Sequence, residues 1–180
     1  DLSSLWERKG ELAKAEAAVR TALQLVPTHT EARSRLGSIL LAKGEVSGAE
    51  AELREALKID PYHAPTHRAL GILYDQAGQF EEALREYQEA LKSENRFADV
   101  HHAIGLIYAK QGKLEQAEVQ TKEALRIDPQ YAEAFVSLGI IYDRKGLKQK
   151  SLDANAQAVQ LDPRAYQAYS NMAVVYIKDG

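Results

Sequence analysis

The stretch that decides the fold covers residues 30–63 and reads TEARSRLGSILLAKGEVSGAEAELREALKIDPYH. Its first half places apolar residues at Leu36 and Ile39 and then reaches Gly44. Its second half has a similar apolar spacing and ends at Pro61. Apolar residues three and four apart, closed by a glycine or a proline, predict an amphipathic helix in each half. The stretch is therefore predicted to be two helices joined by a short turn.

The same two helix breakers recur along the chain at a spacing of 34 residues. The proline marker stands at Pro27, Pro61, Pro129 and Pro163, with Asn95 at the one remaining point of the series. The glycine marker stands at Gly10, Gly44, Gly78, Gly112, Gly146 and Gly180. Two independent markers in phase indicate an internal repeat. In such a protein each helical pair buries its apolar face against its neighbours in the stack.

The pattern predicts helices throughout and no strand, so the predicted fold class is all-α. The predicted helices are 1–9, 13–25, 31–43, 47–59, 65–77, 81–93, 99–111, 115–127, 133–145, 149–161 and 167–179. Residues 1–180 are predicted to form one array, with a partial repeat at 1–29, full repeats at 30–63, 64–97, 98–131 and 132–165, and the first helix of a further repeat at 166–180. Both ends look like cuts through a longer array, so we expect a fragment.

Composition narrows the choice of partners. The chain has 23 Lys and Arg against 26 Asp and Glu, a net charge of −3, whereas nucleic-acid or anionic-membrane binding favours a basic surface. Cysteine is absent, which excludes disulfides and thiolate metal sites and leaves the cellular compartment open. No apolar run approaches the ~20 residues of a membrane-spanning helix, so no membrane insertion is predicted.

Small residues recur at the places where the paired helices should meet. Glycines occupy one phase of the first helices, at Gly37, Gly71, Gly105 and Gly139. Alanines occupy a matching phase of the second helices, at Ala15, Ala49, Ala83 and Ala117. A glycine inside a helix costs roughly 1 kcal/mol relative to alanine, so its recurrence predicts a close approach of the two helix backbones. Thr121 and Asn155 depart from the bulky residues found in the same phase of the earlier repeats.

These residues resemble the tetratricopeptide repeat. Residues 132–163 carry its Leu-Gly pair at Leu138 and Gly139, its tyrosine at Tyr142 and its turn glycine at Gly146. The resemblance covers all 180 residues. It implies a right-handed α-solenoid of helix-turn-helix repeats whose common property is the binding of other proteins on a concave surface.

In arrays of this family, the face of the first helices that points away from the paired helix lines the concave groove. Ile72, Leu106, Ile140 and Val174 fall on that face at the 34-residue spacing. With their flanking positions, they give a predicted peptide-binding groove of Arg68, Ile72, Asp75, His102, Leu106, Val136, Ile140, Asp143 and Val174. An apolar ridge edged by charges suits an amphipathic helix or an extended peptide. The alternative is that these aliphatic residues only pack against the next repeat.

No catalytic or metal site is predicted. His63 and His67 are four residues apart, the spacing of a helical metal pair, but Pro65 near the helix start should leave His63 in the turn. His67 and His101 should fill the aromatic packing position of their repeats. The carboxylates are spread over helix faces as surface pairs, and no phosphate loop, zinc motif or nucleophile motif occurs. No cofactor is therefore predicted.

Two sub-types of the family are not predicted. Members that bind chaperones hold a C-terminal carboxylate with Lys, Asn and Arg, and only Arg68 and Asn171 are comparable here. Members fused to sugar transferases carry an asparagine ladder, and the corresponding positions read Arg35, Ala69, Ala103, Ser137 and Asn171.

The sequence therefore predicts a non-enzymatic scaffold that binds a protein or peptide in its groove. The alternative is a targeting or assembly arm of a larger enzyme or of a secretion or pilus-type machine. Weak self-association is also predicted, because the last helix should present Met172, Val175 and Tyr176 on the phase that meets the second helix of a complete repeat.

Overall fold

The computed structural model describes residues 11–94 and 96–177, and the predicted helix 1–9 lies outside them, as do Gly10, Asn95 and Gly180. The described residues form ten α-helices and no strand. The helices are α1 Leu12–Leu25, α2 Thr30–Ala42, α3 Val46–Ile59, α4 Ala64–Gln76, α5 Phe80–Ser93, α6 Ala98–Lys110, α7 Leu114–Ile127, α8 Ala132–Arg144, α9 Lys148–Leu161 and α10 Tyr166–Ile177. The all-α fold class is confirmed, and the predicted helices among these residues are correct to within two residues at each end.

The chain divides into two compact units, residues 1–95 with α1–α5 and residues 96–180 with α6–α10. In unit 1, α2 pairs with α3 and α4 pairs with α5. The core of that unit includes Leu36, Ile39, Leu53 and Leu70, all nearly inaccessible to solvent. In unit 2, α6 pairs with α7 and α8 pairs with α9, and α10 packs against both α8 and α9.

The turn inside each pair depends on its glycine. Gly44, Gly78, Gly112 and Gly146 have φ angles of 79°, 73°, 75° and 74°. An L-residue with a side chain rarely adopts this left-handed conformation, whereas glycine adopts it without steric cost. In the turn after α6, Gly112 N donates to Ala109 O and Lys113 N to Tyr108 O, which satisfies the last carbonyls of the helix. The period of the glycines therefore fixes where the first helices end.

An Asp-Pro pair closes the turn after three of the second helices, α3, α7 and α9. After α3, the Asp60 carboxylate accepts a hydrogen bond of 3.0 Å from the backbone N–H of Tyr62. Asp128 and Asp162 make the same contact with Gln130 and Arg164. The proline between them disfavours helical backbone at the aspartate, so the helix ends there.

The predicted close approach within each pair is confirmed. A Cβ built on Gly37 would lie 2.5 Å from Leu53 Cγ, and one on Gly105 would lie 2.6 Å from Thr121 Oγ1. The equivalent glycines Gly71 and Gly139 would meet Tyr87 and Asn155 in the same way. The second helices present fully buried alanines at this contact, at Ala49, Ala83 and Ala117. Glycine is required because a methyl group would occupy space already filled by the partner helix.

Candidate functional site

Unit 1 contains a cleft between its two complete helical pairs. It lies between α2 and α4, has a volume of about 410 Å³, and is lined by Arg68 and Ile72 among the predicted groove residues. Asp75 is half-buried on the same helix and does not line this cleft. Leu41 and Ile72 supply aliphatic surface, and Arg35 and Arg68 supply positive charge. The cleft thus joins an apolar part to a charged part.

The charged part of this cleft is organised around Glu31. Arg35 Nη2 lies 3.1 Å from Glu31 Oε1, one helical turn away on α2. His63 Nε2 lies 3.2 Å from Glu31 Oε2, so the carboxylate contacts both α2 and the residue before α4. Sequence reasoning did not assign a groove role to Glu31 or Arg35. The repeat pattern could have indicated Arg35, because this residue follows Ser34, which is the position equivalent to Arg68.

Unit 2 exposes three of the predicted aliphatic residues. The side chains of Leu106, Ile140 and Val174 are 37%, 38% and 46% exposed, and Val136 is half-buried. Ile140 and Val174 line a second cleft, of about 110 Å³, together with Asp143 and Asn171. This cleft lies between α8 and α10 and brings together predicted groove residues that are 34 positions apart in the sequence.

His102 is built into unit 2 rather than left open on its surface. The ring is only 8% exposed, with Nδ1 3.1 Å from the Tyr131 hydroxyl and Nε2 2.8 Å from Ser137 Oγ. Ser137 donates its own proton to Glu133 O, so Nε2–H donates to Ser137 and Nδ1 accepts from Tyr131. Burial lowers the pKa of the imidazole, although the nearby carboxylates of Glu133 and Asp99 act in the opposite direction. Both ring nitrogens of His102 are thus already bonded within the unit. Its direct role in setting ligand polarity stays a prediction.

A polar network supports the second cleft, and the sequence did not reveal it. Asn155 is fully buried and donates from Nδ2 to Ser151 O over 2.8 Å. Its Oδ1 accepts a 3.1 Å hydrogen bond from Nδ2 of Asn171, which lines the cleft. Ser151 in turn donates to Gly139 O. Asn155 therefore connects α8, α9 and α10, whereas its sequence position suggested only a missing bulky residue.

Three further histidines, His63, His67 and His101, also form hydrogen bonds within their own units. His67 Nδ1 lies 2.7 Å from Glu86 and its Nε2 lies 2.9 Å from Pro61 O, so the ring bonds within unit 1. His101 Nδ1 lies 2.8 Å from Gln120 Oε1. His63 lies in the turn before α4, as predicted. Within residues 11–94 and 96–177, no cluster of three or more metal-ligating side chains is found.

One prediction about the last helix is wrong. Val175 was expected on an exposed face of that helix, but it is only 1% exposed. It is buried because α10 packs on α8 and α9, as the equivalent Ile141 of α8 is buried within the unit. Met172 is half-buried, whereas Tyr169 and Tyr176 are exposed on this helix.

Comparison with protein families agrees with the repeat geometry. A model described as "Tetratricopeptide repeat" matches residues 5–64, and one described as "TPR repeat" matches residues 73–112 and 105–146. The chain belongs to the tetratricopeptide repeat family. A comparison with curated proteins gives no significant match.

Solved structures of tetratricopeptide repeat proteins share the fold. A crystal structure of MamA aligns with a TM-score of 0.75 at 22% identity, over 93% of this chain and 98% of that one. The pilF protein of Pseudomonas aeruginosa aligns with a TM-score of 0.75 at 27% identity, over 83% of this chain and 68% of that one. YrrB, described as a TPR protein with an unusual peptide-binding site, aligns with a TM-score of 0.71 at 24% identity, over 93% of this chain and 87% of that one. The MamA and YrrB likenesses show the fold alone.

Membership of the tetratricopeptide repeat family sets the coarse function. Proteins of this family are generally non-catalytic scaffolds for protein–protein interaction. Among the helices described for this chain, none combines the length and the apolar character needed to cross a membrane.

Proposed function

We propose that this protein is an interaction scaffold that binds a peptide or an amphipathic helix of a partner protein on the outward face of its first helices. The observation that carries the proposal is the exposure of Leu106, Ile140 and Val174. Leu106 is 37% exposed, although Ile104 and Ile107 on the same helix are 3% and 0% exposed. Packing within unit 2 thus buries Ile104 and Ile107 and leaves Leu106 available to a partner. Exposed aliphatic residues beside a cleft are typical of surfaces that bind apolar side chains of a partner.

The free energy of such binding comes mainly from covering these side chains. Burial of apolar surface contributes roughly 25 cal/mol per Å², from which the cost of association must be subtracted. A charged residue on this surface removes the apolar contact and must be desolvated when the partner binds. Single charged substitutions should therefore abolish binding.

The test compares partner capture by the intact chain with capture by Leu106→Glu and Ile140→Lys. Partners retained by the intact chain are identified by mass spectrometry, and the affinity of a purified partner is then measured by titration calorimetry. Both variants should lose binding while their circular dichroism spectra and unfolding midpoints change little, since both side chains are exposed.

Val119→Glu is the matched control. Val119 is 62% exposed on α7 and lines neither of the two clefts described above. This variant should bind the partner as the intact chain does. Unfolding of Leu106→Glu and Ile140→Lys would mean that these residues serve packing. Retained binding by the folded variants would show that the partner binds to a different surface of the protein.

We also infer that α10 supports weak self-association. Its exposed side chains include Tyr169, Tyr176 and Ile177, an aromatic and aliphatic surface on one helix of unit 2. A second copy of the chain can cover this surface, in keeping with the general tendency of exposed apolar patches to form contacts.

A further inference from the structure

The turn between α8 and α9 differs in charge from the other turns of its kind. Residues 144–150 read RKGLKQK, with four Lys or Arg and no Asp or Glu. The equivalent residues 42–48, 76–82 and 110–116 carry one, none and two basic residues, and each of these stretches has at least one carboxylate. All four turns nonetheless contain the same left-handed glycine, with φ angles of 73–79°. The backbone of the turn therefore does not require these basic residues.

The start of α9 carries charge that the helix itself disfavours. Lys148 and Lys150 lie in its first turn, which has no acidic residue, and the N-cap residue Leu147 makes no side-chain hydrogen bond to the helix. The N-terminus of a helix has a positive partial charge, so carboxylates and polar caps stabilise it and lysines do not. Departures from such local preferences are expected at functional sites. The cations of this turn are thus better explained by recognition than by stability.

The basic turn lies beside the turn between α6 and α7. Arg144 Nη1 donates a hydrogen bond of 2.7 Å to Ala109 O, near the end of α6. Lys145 Nζ lies 2.7 Å from Glu118 Oε2, near the start of α7. Lys113 is exposed in the turn that joins these two helices. Both turns therefore present basic side chains at the same edge of unit 2.

Only some of these cations are balanced by carboxylates. Lys145 is compensated by Glu118, whereas Arg144 bonds to a backbone carbonyl. The ammonium groups of Lys113 and Lys150 each lie 5.7 Å from the centre of a tyrosine ring. Within the described part of unit 2, none of these last three cations forms an ion pair with a carboxylate, and all three are exposed. This edge of the unit therefore offers positive charge to a ligand.

An exposed aliphatic side chain lies among these cations. Leu147 is 37% exposed, whereas Leu114, the apolar residue of the neighbouring turn, is half-buried. The repeat places Lys148 at the position equivalent to Leu114, so the leucine comes one residue early, directly after Gly146. A leucine surrounded by cations suits a ligand surface that is anionic outside and apolar beneath.

An anionic bilayer has this chemistry. Its headgroups form a broad layer of negative charge above apolar chains, which can contact cations on two turns together with the leucine near them. Nucleic acid supplies phosphates without an apolar layer, and an acidic peptide covers fewer of the cations at once. The net charge of −3 does not oppose this contact strongly, because charges more than about 10 Å away are largely screened at 0.1 M ionic strength.

We propose that Lys113, Arg144, Leu147 and Lys150, the basic edge of unit 2, attach the protein peripherally to an anionic phospholipid surface. The three cations contact the lipid headgroups, and Leu147 enters the boundary between the headgroups and the acyl chains. This inference goes beyond the proposed function, since the basic edge shares no residue with the proposed partner surface.

The test is cosedimentation of the full chain with vesicles. Vesicles of three parts phosphatidylcholine to one part phosphatidylserine should bind the protein at low ionic strength, and vesicles of phosphatidylcholine alone should not. High salt should release the protein. A spin label on the headgroups should broaden the amide NMR signals of Gly112 and Gly146 in the two turns. It should leave those of Ile127 and Leu161, at the other ends of α7 and α9, much sharper.

Charge variants locate the contact. Each cation close to an anionic bilayer strengthens binding about fivefold, so Lys113→Gln combined with Lys150→Gln should weaken it roughly 25-fold. Leu147→Ser should weaken binding without any change in charge. Arg126→Gln combined with Arg164→Gln is the matched control. It removes the same charge, but Arg126 lies about 18 Å along the helix axis from the start of α7, and Arg164 follows the end of α9. This control should change the affinity less than about twofold.

Three results would overturn this inference. Equal binding to vesicles with and without phosphatidylserine would show that negative charge is not recognised. Equal losses in the two double variants would show that net charge governs binding and the basic edge does not. Tighter binding to duplex DNA or to polyglutamate than to the vesicles, unaffected by Leu147→Ser, would assign the edge to a soluble polyanion. Circular dichroism should show every variant folded, because the substituted side chains are exposed.

Discussion

Gly105 offers a measurable test of the close approach between paired helices. An added Cβ would lie 2.6 Å from Thr121 Oγ1, and 3.3 Å from Ala117 O and Thr121 N. Overpacking of a buried contact typically costs ~1–3 kcal/mol, whereas replacing a helical glycine with alanine contributes ~1 kcal/mol of stability. Gly105→Ala should therefore lower the free energy of unfolding by about 0–2 kcal/mol. Gly105→Leu should lower it further, since leucine cannot fit.

The clash depends on one hydroxyl group, so a second substitution should relieve it. Thr121 Oγ1 is buried and has no hydrogen-bond partner within the described residues. Thr121→Ala alone should change stability little, because removing an unsatisfied hydroxyl offsets the loss of one buried methyl group. In that background, Gly105→Ala meets only the 3.3 Å backbone contacts and should raise stability by up to about 1 kcal/mol. The coupling between the two sites should be about 1–3 kcal/mol.

Urea unfolding, followed by far-ultraviolet circular dichroism, gives the four free energies of this cycle. Gly48→Ala is the control, because Gly48 is also helical but an added Cβ would find only an ordinary 3.5 Å contact with Leu40. It should stabilise the protein. If Gly105→Ala stabilised the parent and the Thr121→Ala variant equally, the helices would have room for a side chain and the steric reasoning would be refuted.

Three further predictions concern charge and association. Glu118 contacts two lysines, Lys122 at 2.6 Å and Lys145 at 2.7 Å, which lower its pKa to about 2. Since Lys122 is largely exposed, Glu118→Gln should cost only about 1–2 kcal/mol of unfolding free energy near neutral pH, and urea titrations should show this loss disappearing as the pH falls from about 4.5 toward 2. NMR titration should show opposite shifts for two histidines. The Glu86 carboxylate raises the pKa of His67. The stability that protonated His67 contributes to the fold is therefore present below pH 6.5 and is lost as the pH rises through the folded-state pKa. Burial lowers the pKa of His102, so the stability that neutral His102 contributes to the fold is lost as the pH falls below 6.5. A pKa of His102 above that of His67 would contradict both assignments. Finally, Tyr176→Lys should abolish any concentration-dependent sedimentation without unfolding the chain, and a strictly monomeric parent would contradict self-association through α10.

Sequence reasoning recovered the helices well because their ends are set by local chemistry. Gly78 and Gly112 take positive φ angles, and Asp60 caps its own turn, so each breaker acts within a few residues of itself. Such signals do not depend on what packs nearby. The 34-residue period then places each helix start and end without information from the rest of the fold.

The clefts were harder to predict from the sequence, because their geometry depends on contacts between repeats. The bond from Asn171 to Asn155 joins residues 16 positions apart on different helices, and no helical period contains that spacing. Val175 was misplaced for a related reason. One helix can pack on its own partner and on the preceding repeat through adjacent faces, and a pattern of apolar residues does not say which neighbour covers each face.

The repeats themselves separate positions that serve packing from positions available for recognition. At the helix contact, four repeats keep glycine, at Gly37, Gly71, Gly105 and Gly139. Four residues later, at positions that are partly exposed, the same four repeats change from Leu41 to Asp75, Ala109 and Asp143. A stacking interface repeated along the chain has no need of such variety, because each copy meets a similar neighbour. The glycine is uniform at the helix contact, whereas the partly exposed positions vary. This variation fits a face on which each repeat contacts a different side chain of a bound partner.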